Sequence, residues 1–580
     1  MNLNLISKIF LIRLLAIIGC LFSIYGQSKI IYVSMDGSDQ NSGLTIESSL
    51  NDISTAIKKA SAGDTIYILP GSYKGIIIFN GKSGLPDKPI YLCGVPDNRG
   101  NYPQIDGGLE TPSNDAQDDW MRITNSSWIT VSNLKFINGW TYPIKVENSS
   151  YLTFRQCEFY GGRRVINAEG IHTHHILVEG CVWDQGGNFL WKAEKDSLGV
   201  DAWLSMHHMS MGYFNGSLID FHKTGGSIVI RDNIITNAYN AIRFRGEKGY
   251  DANIEIYGND ISNIRDNDFE PEYYTYNLHI YHNRSHNVHK TFSVDNVEGG
   301  LILYYGNVVT SDSDSWTVKI CNGIWKLYGT ERKLSYPLYA FNNSFYTFGT
   351  AFLNMHGKAM YLKHYNNAYY FKTDYAWDLN EWDSSDEFDY DISNKPFPKN
   401  LFNHRQEMHG KICDIKFKDP SKEKLKLQPG SAGIDAGKII SLKEFNWIQS
   451  FEGKAPDIGA YENNKLVEGP PFRYLVPPGS KINLKEKPRI VRNYIKGNKI
   501  VIYFSDKIDA SSVRKEFISI YKGGKKMKIA SVSFPENEYQ MVIEAGMLLG
   551  EGEFSISFNQ MPKGINGEAA TFWASTIRKH

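Results

Sequence analysis

The densest group of acidic residues in this 580-residue chain is DNDFEPE at 266–272. In an extended strand, residues two apart point to the same side and lie ~6.6–7 Å from one another. Asp266, Asp268 and Glu270 are therefore predicted to form a row of carboxylates on one face. Crowded like charges raise the pKa of one member, which places a proton donor beside an ionised base. Pro271 is expected to break the strand, so the glutamate after it is predicted to point elsewhere.

Three kinds of structure fit this acidic row. Inverting glycosidases need an acid and a base carboxylate ~6.5–9.5 Å apart, so the row could be catalytic. Asp266, Asp268 and Glu270 could instead hold calcium, which prefers oxygen ligands. A solvated acidic turn is the third interpretation.

A basic segment, NAYNAIRFR at 237–245, precedes the acidic one. Asn240, Arg243 and Arg245 in this segment are predicted to bind substrate. The planar fork of arginine donors suits an anionic group such as a sulfate or a uronate.

Three further candidates come earlier in the chain. His222 is predicted to shuttle a proton during catalysis. Trp203 and His207 are predicted to bind sugar, because the C–H faces of sugar rings stack on aromatic surfaces while their hydroxyls are hydrogen-bonded. The aromatic residues around them could equally serve to pack this part of the chain onto the fold.

These residues lie within a repeat that consists of an apolar strand, an asparagine and another apolar pair. The asparagines of the repeat are Asn133, Asn233, Asn259, Asn283, Asn307, Asn343 and Asn367, and Gln156 and Gly180 occupy the matching places between the first two. The successive spacings along this series are 23, 24, 53, 26, 24, 24, 36 and 24 residues. A period near 24 residues without helical patterning predicts a parallel β-solenoid with about three short strands in each coil. The asparagines are expected to stack as a ladder.

Two of the spacings are too long for one coil. They predict insertions at about 183–228 and 309–332. Insertions in solenoids form loops on one face, which is often the binding face.

The N-terminus has the pattern of a secretory signal peptide. Lys8 and Arg13 precede an apolar run at 14–24, so residues 1–26 are predicted to be removed on secretion. Lipid attachment at Cys20 is the alternative. The mature protein is expected to be secreted, periplasmic or on the cell surface, and no other segment is long and apolar enough to span a membrane.

Several segments resemble secreted bacterial right-handed parallel β-helix proteins of the pectate-lyase-like superfamily. They are YVSMDGSDQNSG at 32–43, AGDTIYILPGSY at 62–73, SAGIDAG at 431–437 and PDIGAYE at 456–462. The resemblance implies a right-handed β-helix over about residues 30–462, with an amphipathic segment at 53–60 capping its open end. The pairing of NAYNAIRF with the acidic segment also resembles this group and implies a carbohydrate-active site.

The domain boundaries follow from these segments. The β-helix is expected at 27–465, a Pro-rich linker at 466–486, and a small β-sandwich at 487–580 whose strands and turns resemble a bacterial Ig-like domain. The protein is expected to be a monomer and all-β.

Composition excludes several functional classes. The chain has 63 Lys+Arg against 63 Asp+Glu, and this balance argues against a general nucleic-acid binder. A hydrophobic content of 42% is ample for a core. The five cysteines after Cys20 contain no C-x-x-C pair, so neither a zinc site nor a disulfide framework is predicted.

The function expected from these features is cleavage of a polysaccharide, which could be an anionic one. A glycoside hydrolase with clustered carboxylates as general acid and base needs no cofactor. The first alternative is a polysaccharide lyase that eliminates across a uronate, with calcium held by the acidic row. The second is a β-helix that binds glycans as an adhesin without catalysis.

Overall fold

The structure is a computed structural model of the 580-residue chain. It describes residues 28–109, 120–186, 212–294, 297–312, 323–328, 334–348, 350–356, 361–372, 385–398, 406–422 and 424–481, and parts of 490–579. The signal peptide predicted at 1–26 lies outside these residues.

The chain forms a right-handed parallel β-helix, which confirms the predicted fold class. One side of every coil belongs to a 13-stranded parallel sheet, called here the first side. Its strands are Ile30–Val33, Thr65–Ile68, Ile90–Gly94, Ser127–Ser132, Ser150–Arg155, His174–Glu179, Ile228–Arg231, Ala252–Tyr257, Tyr274–Tyr281, Glu298–Tyr305, Leu338–Phe341, Leu362–Tyr365 and Glu387–Asp389.

The second and third sides of the coils form one 21-stranded parallel sheet, because strands such as Asp260–Glu272 bend from one side to the other. The strands of the second side include Gln104–Asp106, Lys135–Gly139, Glu158–Gly161, Val182–Asp184, Ile234–Ala238, Val308–Thr310, Ser344–Thr347, Ala368–Phe371, Ile392–Ser393 and Lys411–Ile412. The remaining strands of this sheet are Ser72–Lys74, Ile77–Asn80, Met121–Thr124, Ile144–Glu147, Arg164–Glu169, Ser217–His222, Ile242–Arg245, Asp260–Glu272, Arg284–Ser293, Gly323–Tyr328 and Thr350–His356.

Rows of identical or similar side chains fill the interior. On the first side, Ile228, Ile254, Leu278, Ile302 and Leu338 are register partners in successive coils, and all are buried. Each coil therefore buries its apolar side chains against the coils before and after it, as the 24-residue repeat requires.

The predicted asparagine ladder runs unbroken from Asn233 to Asn367 and ends on Asp391. Asn283 shows the pattern. Its backbone N–H and its side-chain Nδ2 both donate to Asn307 Oδ1, at 3.0 and 3.1 Å, and Nδ2 also donates to the Ile256 carbonyl. The earlier matches are displaced by one residue, because Asn133, Gln156 and Gly180 have positive φ and precede the rung position.

Cys157 and Cys181 occupy two of these earlier rung positions and are buried free thiols. Burial raises the pKa of Cys157 well above its ordinary value.

A seven-residue helix, Ile53–Lys59, packs on the first coil through Ile53, Ala56 and Ile57. Asp52 caps its N-terminus by accepting a hydrogen bond from Thr55 N at 2.6 Å. The segment that the resemblance assigned to an end cap is therefore helical and amphipathic. Within the described residues, no helix is long and apolar enough to cross a membrane.

After the last coil, the chain returns along the outer surface of the first side. We call residues 438–479 the C-terminal strap. Five side chains of the coils donate hydrogen bonds to backbone carbonyls of the strap. Asn366 donates to Lys438 O, Asn342 to Asp457 O, His282 to Val467 O, Asn277 to Arg473 O and Asn253 to Val476 O. Part of the segment predicted to be a linker at 466–486 thus lies against the β-helix.

The strap covers an apolar surface. Tyr257, Tyr281, Tyr305 and Phe341 stack in consecutive coils with ring centroids 4.8–5.1 Å apart. Strap residues pack with the later members of this column in one buried cluster: Ile440, Leu442, Phe445, Val467 and Val476.

The remaining elements are antiparallel strands and short 3-10 helices. Three two-stranded sheets pair Phe417–Asp419 with Lys424–Leu427, Ser441–Leu442 with Trp447–Ile448, and Tyr461–Glu462 with Lys465–Leu466. Two four-stranded sheets follow, with strands Ile490–Lys496, Lys499–Phe504, Gln540–Ala545 and Ile529–Ser533 in one and Lys525–Met527, Ile518–Lys522, Gly552–Phe558 and Thr576–Lys579 in the other. Within the part of the chain that the structure describes, the 3-10 helices are Gly212–Phe214, Pro420–Lys422, Lys443–Phe445, Ala510–Ser512 and Lys515–Phe517.

The ladder yields a stability prediction. Asn283→Ala removes the side-chain acceptor of the Asn259 backbone N–H and Nδ2 and the side-chain donor to Asn307 and Ile256, and leaves the buried Asn259 N–H without its acceptor. An unpaired buried group costs ~1–3 kcal/mol, so the free energy of unfolding should fall by about 3 kcal/mol in urea denaturation. Asn98→Ala, at an exposed position, is the control. Equal stability of the two variants would show that the ladder does not hold the coils together.

Candidate functional site

Outward-facing residues of the third side form a row of polar and charged side chains. Register partners in successive coils place them one strand spacing, ~4.8 Å, apart. In coil order they are Asn167, Asp220, Arg243, Glu270, Ser293 and Lys326. A parallel row contains Glu169, His222, Arg245 and Glu272.

Both long repeats come directly before strands that carry residues of these rows. The extra residues enter between the second and third sides, after Asp184 in one coil and after Thr310 in the other. Strands Ser217–His222 and Gly323–Tyr328, which the sequence placed inside insertions, belong to the regular coils.

Arg243 contacts two carboxyl groups of the next coil. Its Nε is 2.8 Å from Glu270 Oε2, and its Nη2 is 3.3 Å from Glu270 Oε1 and 3.5 Å from Glu272 Oε2. Its Nη1 donates to Asn215 Oδ1 at 3.3 Å. The two glutamates are hydrogen-bonded to each other, and the three side chains are at most 12% exposed. We call Glu270 and Glu272 the carboxyl pair.

The environment pushes the pKa values of the carboxyl pair in opposite directions. Burial raises the pKa of Glu270 well above its ordinary value, and the Glu272 charge adds to this although Arg243 opposes it. Burial also acts to raise the pKa of Glu272, but Arg243, the hydrogen bond with Glu270 and the Lys326 ammonium lower it overall. Of the two carboxyl groups, Glu270 therefore holds a proton more readily than Glu272.

Glu272 corrects an expectation from the sequence. Strand Asp260–Glu272 continues through Pro271, which is paired with Phe244. Phe269 pairs with Phe292, and the neighbouring strand ends at Ser293, so no ladder partner on that side needs an N–H from Pro271. Glu272 consequently keeps the alternation and points to the same side as Glu270.

The predicted row of three carboxylates is wrong for Asp268. Its carboxyl lies beside the Ser285 hydroxyl and near Tyr304, whose ring packs in the core against Phe269 and Phe292. Burial raises the pKa of Asp268 well above its ordinary value. The chain bends between the second and third sides at this point, where the register with the next strand shifts, and this bend breaks the alternation.

Asp266 lies on the same side as the carboxyl pair. Its charge acts on Glu270, Arg243 and the buried phenol of Tyr239. Burial, followed by the charges of Asp266 and Glu270, raises the pKa of Tyr239 well above its ordinary value.

Asp220 is held by arginines from both neighbouring coils. Its Oδ2 is 3.3 Å from Arg164 Nε, and its Oδ1 accepts from Arg245 Nε at 3.1 Å and from Arg245 Nη2. His222 lies two residues further along this strand, with Nδ1 3.5 Å from Glu169 Oε1, and burial lowers its pKa.

Of the other predicted site residues, Asn240 has a structural role, and two lie outside the described residues. Asn240 is fully buried, and its Oδ1 accepts from Asn267 N at 2.9 Å, so it forms a rung at the corner of the coil. Trp203 and His207 lie outside the described residues.

The calcium hypothesis finds no common binding point for Asp266, Asp268 and Glu270, since Asp268 faces the core. In the described ranges, no three His, Cys, Asp or Glu side chains converge as metal ligands.

The corner beside the carboxyl pair also buries basic groups. Arg265, His289 and Lys290 are at most 5% exposed. Lys290 Nζ lies 2.9 Å from His289 Nε2, a contact in which the ammonium donates and the imidazole accepts.

Sequence reasoning missed Glu272, Asp220 and Arg164. Period-two alternation from Glu270 would have included Glu272 had Pro271 been accepted in a strand. Asp220 stands at an alternate position of an apolar strand, SLIDFH, which is the local signal for an outward carboxylate. Arg164 reaches Asp220 only through the register of two coils separated by an insertion.

Comparison with known proteins finds similarity in structure. No protein-family model and no curated protein matches the chain. A GH136 lacto-N-biosidase from Eubacterium ramulus has 11% sequence identity and a TM-score of 0.29, covering 49% of this chain and 64% of its own, so the chain spans less than two thirds of that protein. Pectate lyase Pel9A has 16% identity and a TM-score of 0.34, covering 76% and 97%. The PL6 family alginate lyase AlyGC has 12% identity and a TM-score of 0.36, covering 69% and 57%.

The opposite pKa shifts of the carboxyl pair depend on Arg243. Arg243→Met removes the positive charge, so the pKa of Glu272 should rise, and that of Glu270 should rise further. Carboxyl ¹³C resonances of glutamate-labelled protein, followed against pH, measure both values.

Arg155→Met is the matched control, because Arg155 pairs with Glu179 on the first side of the coil. It should leave both titrations unchanged. Identical titrations in Arg243→Met and the wild type would contradict the assigned role of Arg243.

Proposed function

We propose that the protein is a secreted enzyme that cleaves a polysaccharide by hydrolysis, with Glu270 as general acid and Glu272 as general base. The observation that carries this proposal is the carboxyl pair, whose members both contact Arg243 and have oppositely shifted pKa values. Two titratable groups whose environments separate their pKa values are the usual signature of an acid and base assignment.

The proton balance of hydrolysis fits the pair, although the hydrogen bond between its carboxyl groups sets them closer than the ~6.5–9.5 Å of an inverting pair, so substrate and water must enter between them. Glu270 gives its proton to the glycosidic oxygen as the bond to the anomeric carbon breaks. A water molecule attacks that carbon and gives a proton to Glu272. Glu270 is then ionised and Glu272 protonated, and transfer across their shared hydrogen bond restores the starting state.

The surroundings support this use of the pair. Low solvent exposure strengthens the electrostatic interactions of Glu270 and Glu272. Arg243 keeps Glu272 ionised and fixes the geometry of both carboxyl groups. The chain insertions come directly before strands of the same row, and insertions in solenoids are often on the binding face. The Ig-like domain at 487–580 and the absence of a required cofactor are parts of the same proposal.

A lyase is the second candidate, and the buried Lys290 favours it. Lysine or histidine is a suitable base for removing a proton beside a uronate carboxyl, and Lys290 contacts His289 in the corner next to the carboxyl pair. Arg243, Arg265 and Lys326 would supply the positive charge that β-elimination needs.

A panel of polysaccharides separates the candidates. Purified protein is incubated with uronate-containing, sulfated and neutral polymers, with and without EDTA. New reducing ends without ultraviolet absorbance support hydrolysis. Unsaturated uronate products, detected by their absorbance, would overturn it in favour of the lyase, and binding without any product would favour the adhesin.

Substitution of the pair tests the assignment. Glu270→Gln and Glu272→Gln should each lower kcat at least about 100-fold, since positioned acid and base groups contribute ~10²–10⁴-fold. Asp268→Asn should keep most activity, because its buried carboxyl faces the core.

Glu255→Gln is the matched control, since Glu255 accepts from Tyr281 on the first side of the coil. Activity is measured as reducing ends on the polymer that the panel identifies, and thermal melts verify folding. Full activity in both pair variants, or loss only in Asp268→Asn, would contradict the assignment.

A further inference from the structure

Asp220 joins two arginines that come from different coils. Arg164 lies in the coil before it and Arg245 in the coil after it, and each contacts a different carboxylate oxygen of Asp220. The Asp220 side chain is fully buried, whereas those of Arg164 and Arg245 are 16% and 25% exposed. The carboxylate therefore lies beneath two guanidinium groups that reach the surface.

Each guanidinium has a donor left over. Arg164 uses Nε toward Asp220 and donates from Nη1 to Tyr142 Oη at 2.7 Å. Arg245 uses Nε and Nη2 toward Asp220. Among the described residues, Arg164 Nη2 and Arg245 Nη1 have no hydrogen-bond acceptor.

The local charge is also unbalanced. One carboxylate faces two guanidinium groups, and burial, together with the neighbouring Arg245 charge, lowers the pKa of Arg164 although Asp220 opposes this. Arg163 adds a further positive charge beside Arg164. Two other carboxylates belong to the row that contains Arg245. Glu169 lies by His222 and is half exposed, and Glu272, the register partner of Arg245, is in contact with Arg243. The desolvation free energy of a second, partly buried arginine is larger than the stabilisation that Asp220 alone provides.

We propose that Arg164 and Arg245, held in place by Asp220, form a subsite for an oxyanion of the substrate, either a uronate carboxylate or a sulfate ester. Arginine donors match the geometry of both groups. The inference rests on the proposed function for the identity of the ligand as part of a polysaccharide. Arg245 is the register partner of Glu272, so the subsite lies directly beside the carboxyl pair. It would therefore bind the sugar at or next to the cleaved bond.

Asp220 is a positioning residue in this account. Its two oxygens fix the guanidinium groups before the ligand arrives, so little ordering remains to be done on binding. Arg243, in contrast, is committed to the carboxyl pair and is not part of the subsite.

Binding is measured separately from turnover. The full chain with Glu270→Gln is titrated calorimetrically with oligogalacturonate and its carboxyl-reduced form, and with a carrageenan oligosaccharide and its desulfated form. One anionic probe should bind at least tenfold more tightly than its neutral counterpart, and the pair that shows the difference identifies the oxyanion. Equal affinities within both pairs would overturn the subsite.

Substitutions test which residues produce the preference for the anionic probe over its neutral counterpart. Arg164→Met and Arg245→Met should each abolish it, Arg245→Lys should retain part of it, and Arg155→Met should leave it intact. Tyr142→Phe keeps both guanidinium groups and should weaken the preference by releasing Arg164, which provides a test if either methionine variant fails to fold. An unchanged preference in the arginine variants would place the anion elsewhere. Loss of hydrolysis as the proposed function would not by itself change these affinities, so the two proposals fail separately.

Discussion

The coil-to-coil register is the constraint on which the rest of the structure depends. From Asn233 to Asp391, every rung residue accepts hydrogen bonds from the rung before it, so the start of each second-side strand is fixed relative to its neighbours. Side chains of successive coils are thereby aligned ~4.8 Å apart in straight rows. Inside, the rows are aliphatic and aromatic. Outside, on the third side, the same alignment places unlike charges beside one another.

That alignment explains how residues far apart in sequence form one site. Asp220, Arg243 and Glu270 are separated by 23 and 27 positions, yet they are neighbours in one outward row. Each carboxylate meets a guanidinium from an adjoining coil, which makes partial burial of the whole row tolerable. Glu270 and Glu272 share Arg243, and one guanidinium cannot balance two charges, so one member of the pair keeps its proton. An acid beside a base is thus a consequence of the charge count in the row.

The sequence was sufficient for the architecture because the repeat is itself the fold. Spacings near 24 residues predicted the coils, and the recurring asparagines predicted the ladder, although the rung positions before Asn233 were displaced by one residue. The spacing of apolar residues indicated the amphipathic segment that forms the helix Ile53–Lys59. The strap was not, because its Pro-rich composition is typical of a linker and its partners are side chains on the outside of distant coils.

The site was predicted less completely, for identifiable reasons. The sequence pointed to Glu270, Arg243 and Arg245, which do lie together, because they cluster locally in two consecutive coils. It misplaced Asp268, since alternation fails where the chain bends between two sides of a coil. It excluded Glu272 by treating Pro271 as a strand end, and it overlooked Asp220 because the pairing with Arg164 crosses an insertion. Local patterns predict which side a residue faces, whereas partners depend on register across coils.

The pH dependence of kcat/KM for the cleaved polysaccharide, compared between the wild type and Glu272→Gln, tests the central claim most directly. Glu272 must be ionised and Glu270 protonated, so the wild-type profile should be bell-shaped, rising as Glu272 loses its proton and falling as Glu270 does. The residual activity of Glu272→Gln should lose the rising limb and keep the falling one. A profile with both limbs unchanged in that variant would contradict the account.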